Sequence, residues 1–224
     1  MGAASSTPVL FKYLNLGALN GRGGVVRFFM LVHDIAFTEE LYSLGEEWTQ
    51  KKQQLIASGE NPSGTVPVLE HKGVTLTQHI ALMRYLAREH GLTSGSAYGD
   101  YVQDLVADEY QGFRDAWVGA AFGGDEEATK KFKEVIVPSR LQLFDDLYAK
   151  FKQHDVYLSV SRSSCGRTGG RPLWGDTALY GMIQDLILSK MMTQEQLAAY
   201  SHLRALYKAY GAQPAVAQRV ASKE

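Results

Sequence analysis

Read for the spacing of its apolar side chains, the chain divides into two unlike parts. In the first, short apolar runs alternate with helical ones. Residues 9–13 (VLFKY) read as a short strand, and a glycine-rich turn over 17–24 follows. Residues 25–34 (VVRFFMLVHD) are apolar on nearly every side, the pattern of a buried helix. Residues 37–42 predict a second strand. Over 46–58 acids come first and lysines later, which suits the helix dipole, and Gly59 with the turn Asn61-Pro62-Ser63-Gly64 ends the helix. Two short strands, 65–70 and 74–76, flank the turn at 71–73. Pro67 cannot donate to a ladder, so its strand is either an edge or starts at that proline. In 77–90 apolar Ile80, Ala81, Met83, Leu86 and Ala87 recur at roughly helical spacing, and Gly91 closes the helix behind Arg88 and His90. The order is βαβαββα.

Beyond a polar linker at 93–96 the strand signals nearly vanish. Residues 98–122 and 126–153 predict two long helices, interrupted afterwards by 156–158 and the loop 159–172. Helices resume over 174–189 and 193–210, the latter opening T-Q-E-Q, close to a capping box. This shift from mixed α/β to all-α places a domain boundary near residue 92, with 1–91 and 92–224 as the two domains.

Composition narrows the function. A net charge of -1 argues against nucleic-acid binding, which ordinarily needs a basic excess. The one cysteine, Cys165, allows no internal disulfide and no zinc site built on two or more cysteines, and no metal is expected. The longest apolar stretch, 25–35, is broken by Arg27, His33 and Asp34 and is too short to span a membrane. Residues 1–7 lack the charge and apolar core of a secretory signal. They do read Met1-Gly2-Ala3-Ala4-Ser5-Ser6, which fits the pattern for N-myristoylation at Gly2; a plain small-residue leader is the competing reading. A cytoplasmic location is the expectation, with membrane association if Gly2 is acylated.

The segment NPSGTVPVLEHKGVTLTQHIALMRYLAREHGL, residues 61–92, resembles the glutathione-binding half of cytosolic glutathione transferases. Its pattern is N-P-x-G-x-V-P-x-L, a short hairpin, then a helix of the type A-I-x-R-Y-L-A. KYLNLGALNGRGGVVRFF resembles the start of the tyrosine-type classes, sigma most closely. DVYLSV and WGDTALYGMIQDL resemble the family's folding motif. The resemblance implies a thioredoxin-like N-terminal domain, an all-helical C-terminal domain, glutathione as co-substrate and a homodimer.

It also implies roles for particular residues. Tyr13 would donate its hydroxyl to the glutathione sulfur, with Arg22 behind it, although the segment between them is about three residues longer than in the family. The thiolate is the nucleophile and a free thiol has a pKa of about 8.5, so lowering it by two units needs about 2.7 kcal/mol of preferential stabilisation. Trp48 and Lys52, one turn apart on one helix face, would hold the glycine end, with Lys51 as the alternative register. Val66, before a cis Pro67, would pair through its backbone with the cysteinyl part, as an added strand does. Gln78 and His79, at a helix N-terminus, would meet the γ-glutamyl end. The family has Ser or Thr where this chain has His79, whose ring either bonds the ligand or blocks the pocket. Asp108, or Asp104 in a shifted register, would reach across the dimer to the ligand's amine. Phe113 and Trp117 would give the second-substrate pocket apolar walls. Asp176 is the structural aspartate of the buried helix, with Leu173 where the family's capping Ser/Thr stands, and Cys165 is a bystander.

Two functions follow. One is an enzyme that conjugates glutathione thiolate to small hydrophobic electrophiles in detoxification, or uses it to isomerise or to reduce peroxides. The other is a non-catalytic relative kept for binding or scaffolding, because fold does not guarantee function. A thioredoxin-type redox protein lacks its C-x-x-C motif here.

Overall fold

In the computed structural model, residues 8–152, 156–158 and 171–222 are described. The readings given above for Gly2, Cys165 and most of the loop after residue 158 concern residues outside them. Strand β1 (Val9–Leu14) is the inner rail of a four-stranded sheet of order β2-β1-β3-β4. It runs parallel to β2 (Phe37–Tyr42), pairing Tyr13 with Leu41, and antiparallel to β3 (Val68–His71), which pairs in turn with β4 (Val74–Thr77). Strand β3 is thus interior, and it begins just after Pro67, so the proline costs the ladder no donor.

Helix α1 (Gly21–Val32) connects β1 to β2, α2 (Glu46–Ala57) connects β2 to β3, and α3 (His79–Glu89) follows β4. This is a thioredoxin-like unit. The helical part begins with α4 (Ala97–Phe122), which Ser96 caps by accepting from the Gly99 N–H at 3.0 Å. Helices α5 (Glu126–Lys131) and α6 (Val137–Phe151) then run on through one π-helical turn at 132–136, where one long helix was expected. Next come the buried α7 (Trp174–Leu188), α8 (Ser201–Gly211) and α9 (Pro214–Ala221).

The expected helix over 193–210 is broken. A 3-10 turn at 196–199 precedes α8, and the reciprocal Thr193–Gln196 bonds cap that turn instead of a long helix. Helix α9 opens at Pro214 and lies beyond the last element the sequence predicted.

Helix α7 holds the architecture through two buried carboxylates. Asp176 lies at the third position of α7 and accepts from the Leu173 N–H (3.1 Å), the Leu158 N–H (3.1 Å), the Tyr148 hydroxyl (2.7 Å) and Gln103 Nε2 (2.9 Å). Leu173 offers no side-chain cap. Gln103 from α4 supplies it instead, its Oε1 accepting from the N–H groups of Gly175 (2.7 Å) and Asp176 (3.3 Å). Asp176 thus ties the start of α7 to α4, α6 and residue 158, by a donor set the sequence did not reveal.

Asp185, on the last turns of α7, does the same for the other domain. It accepts from the Asn20 N–H (2.7 Å), Asn20 Nδ2 (3.2 Å) and the Gly21 N–H (2.9 Å), and so caps α1 from outside. Its counter-ion is Arg114 of α4, whose Nη1 donates at 2.6 Å. Neither side chain of this pair is exposed at all.

Two predictions follow from this interior. Removing one partner of a buried, hydrogen-bonded pair strands the other, so Asp185→Ala should lower the unfolding free energy by about 3–5 kcal/mol in urea titration. A loss under about 1 kcal/mol would show that the pair is dispensable. The second concerns His33 and His79. Burial pushes their imidazoles down, to about 4 and about 3 respectively, so both are neutral in the fold. An unfolded histidine binds a proton near pH 6.5, so the stability these groups contribute is present above that pH and is lost as pH falls toward 4. Urea midpoints should drop by the equivalent of a few kcal/mol between about pH 7 and pH 4.5. The paired replacements His33→Gln and His79→Ser should flatten that slope.

Candidate functional site

The site is built around the junction of β1 and α1. The tyrosine at position 13 is 5 % exposed, its ring stacked on Phe11 with centroids 6.1 Å apart. Helix α1 passes directly over it. A Cβ on Gly23 would lie 2.3 Å from the ring, and one on Gly21 would lie 2.4 Å from the hydroxyl. Gly21 also has φ +57, which a side chain rarely adopts. The glycine-rich stretch expected as a turn is therefore, from Gly21 on, the first turn of the helix, made of glycine because the tyrosine fills the space of its side chains. The Gly23 N–H lies beside the phenol oxygen. Burial raises the Tyr13 pKa and that N–H partly opposes it, so the group is a protonated phenol at neutral pH.

A cleft of about 510 Å³ opens beside this junction. Its lining includes Leu14, Arg22, Trp48, Lys52, residues 64–67, Gln78, His79, Gln111 and Asp115. Seven of the residues singled out from the sequence thus come together. The Val66–Pro67 bond is cis. Trp48 is half-buried and stacked on Tyr42, with centroids 6.0 Å apart. Lys52 turns to the cleft, while Lys51 pairs with Glu40 at 3.4 Å and lies over the Tyr42 ring. Gln78 has φ +71 and makes no side-chain cap, which leaves the first N–H groups of α3 without that partner beside the cleft.

His79 lines the cleft without filling it. It is 1 % exposed, edge-on to Tyr110, and kept neutral by burial and then by the charges of Arg114 and Arg22. Among the described residues its Nε2 has no hydrogen-bond partner, nor has Gln111 Oε1, nor Arg114 Nη2. A second cleft of about 570 Å³ lies between α7, α8 and α9, but none of its lining residues carries a buried unpaired side-chain atom. Unpaired buried polar groups call for a partner, which makes the first cleft the candidate site.

Other expected residues fall elsewhere. Phe113 is fully buried against Phe132 and Phe144, because its position on α4 faces the helical core. Trp117 is likewise enclosed, under Arg114 at 4.8 Å and donating to Ser189 Oγ at 3.1 Å. Neither walls the cleft. Asp104 is tied to Arg84 (2.6 Å) and to Trp174 Nε1 (2.7 Å). Asp108 is largely exposed, 3.6 Å from Arg84, and does not line the cleft. The residues that α4 gives to the cleft are Gln111 and Asp115, and Asp115 pairs with Arg22 across its mouth. The stripe 104, 108, 111, 115 follows helical spacing, so the signal was present in the sequence one and two turns beyond the residue chosen.

No family model matches the chain. Its sequence is similar to the probable glutathione S-transferase 9 of Caenorhabditis elegans, 27% identical over 172 residues, 75% of this chain and 76% of the relative. It is also similar to the hematopoietic prostaglandin D synthase of Gallus gallus, 28% identical over 129 residues, 58% of this chain and 61% of the relative. In fold it is similar to the prostaglandin synthase D of Nilaparvata lugens, with a TM-score of 0.76 and 21% identity over 97% of this chain and 98% of the other. By its thioredoxin-like sheet and its helical second part the chain has the fold of these structures, and its sequence is similar to cytosolic glutathione transferases.

Proposed function

We propose that the protein is a glutathione transferase of a sigma-like kind, using glutathione thiolate on a small electrophile. The observation that carries this reading is the protonated Tyr13 phenol, held by the first turn of α1 beside a cleft whose other end is the uncapped start of α3. Glutathione would lie between them. Its γ-glutamyl carboxylate meets the α3 N-terminus at Gln78 and His79, its cysteinyl backbone pairs with Val66, and its glycine carboxylate reaches Trp48 and Lys52.

The thiol then falls to the Tyr13 and Arg22 end. A phenol with a raised pKa keeps its proton over the working range and donates it to sulfur without giving it up. Arg22 adds positive charge at the same end. The thiol proton leaves to solvent, sulfur bonds to the electrophilic carbon, and the leaving group departs with its electron pair. In an isomerisation the sulfur is released again. Relatives named for both chemistries support either outcome.

The domain limits at 91 and 92, a cytoplasmic location and a homodimer in which Asp108 reaches the partner's ligand belong to the same proposal. No described helix is long and apolar enough to cross a membrane. One observation favours the non-catalytic alternative: Tyr13 does not itself line the cleft and is nearly closed off under Gly21 and Gly23.

Calorimetry with glutathione on wild type and Tyr13→Phe, with ultraviolet thiolate absorbance followed against pH, separates the two. Under the enzyme reading both bind, and only wild type shows bound thiolate near neutral pH; losing one such donor should cost about 10²–10³ in turnover. Absence of binding by wild type selects the scaffold reading.

A further inference from the structure

The wall expected to hold an apolar second substrate is polar. Phe113 and Trp117 belong to the helical core, and the residues that α4 presents to the cleft are Gln111 and Asp115, one turn apart on one face. Gln111 Oε1 is buried without a hydrogen-bond partner among the described residues, a state that costs free energy until an occupant brings a donor. Asp115 has a side chain 68% exposed, so its charge stands over the opening. Its partner Arg22 comes from the turn that covers Tyr13. Arg22 is therefore engaged by Asp115 and, in the working complex, is shared with the thiolate.

Resting on the glutathione reading above, we propose that Gln111 and Asp115 select the second substrate: the cleft takes electrophiles that carry a hydrogen-bond donor or a positive charge, and rejects those that carry a carboxylate. A donor satisfies Gln111 and is attracted by Asp115. A carboxylate brings no donor for Gln111 Oε1 and meets Asp115 with like charge. To gain Arg22 it must also draw that guanidinium away from the sulfur. A site built to pair a polar group discriminates strongly against an analogue that cannot pair, because its own buried groups then stay unmatched.

The full chain can be tested with glutathione and a matched pair of activated aryl chlorides, a chloronitrobenzamide and the corresponding chloronitrobenzoate. In both, the C–S bond forms, chloride leaves with the bonding pair and the thiol proton goes to solvent. Each kcat/KM is divided by the uncatalysed rate constant to remove intrinsic reactivity. Wild type should prefer the amide. Asp115→Asn, a change at an exposed side chain, should narrow that preference roughly fivefold, about one charge–charge contact in a well-solvated site, by raising kcat/KM for the acid. Gln111→Leu should lower kcat/KM for the amide several-fold more than for the acid. A preference identical in wild type and Asp115→Asn, or a wild type that favours the acid, overturns the proposal. Calorimetry on the same samples keeps the two levels apart: failure to bind glutathione removes the underlying reading, whereas altered or unaltered selectivity in a protein that binds it judges only the roles of Gln111 and Asp115.

Discussion

The carboxylate of Asp185 is the interaction on which the other parts of the molecule depend. A helix N-terminus leaves N–H groups without intrahelical partners, and burying them unpaired is costly. Helix α1 starts on Gly21, with an Asn20 side chain that makes no local cap, and its first donors are satisfied by a residue 164 positions away. That carboxylate is itself affordable in the interior only because Arg114 donates to it and three further N–H bonds complete its shell. The sheet domain and the helical domain are thereby joined by hydrogen bonds as well as by packing. The joint sits under the first turn of α1, the turn that covers Tyr13.

This arrangement links stability to chemistry. The same turn that Asp185 anchors supplies the N–H beside the Tyr13 oxygen, the two glycines that admit its ring, and Arg22 at the cleft mouth. A shift in the cap would move all of them together. In the proposed complex, preorganisation of this kind would let the phenol act on the sulfur without being repositioned at each turnover. Burial serves the cleft in a second way. His79, which in water would titrate near neutrality, is held neutral by desolvation and by the two arginines nearby, so the α3 end of the cleft keeps one charge state across the physiological range.

Much of the fold was legible because it rests on local pattern. The alternating strands, the Val66–Pro67 segment, the helix after the hairpin and α4 all lie where spacing and turn residues put them. What was missed rests on partners distant in sequence. The start of α1 reads as a turn until Tyr13 is seen to fill its glycine faces. Leu173 reads as a missing cap until Gln103 is brought to it across 72 positions. Phe113 and Trp117 read as pocket walls because aromatic residues serve a pocket and a core equally well, and only the rotation of α4 decides which. That rotation turns the polar stripe of Gln111 and Asp115 to the cleft, and the same helix sends Arg114 inward.

The proposed chemistry requires that one cleft carry glutathione with its sulfur at Tyr13. A crystal structure of the complex tests it most directly. It should show the sulfur within hydrogen-bond distance of the Tyr13 hydroxyl, the γ-glutamyl carboxylate on the N–H groups that open α3, and the Asp185 cap on α1 unchanged. Glutathione bound in the groove between α7, α8 and α9, or bound in the cleft with its sulfur remote from a still-enclosed Tyr13, would contradict it.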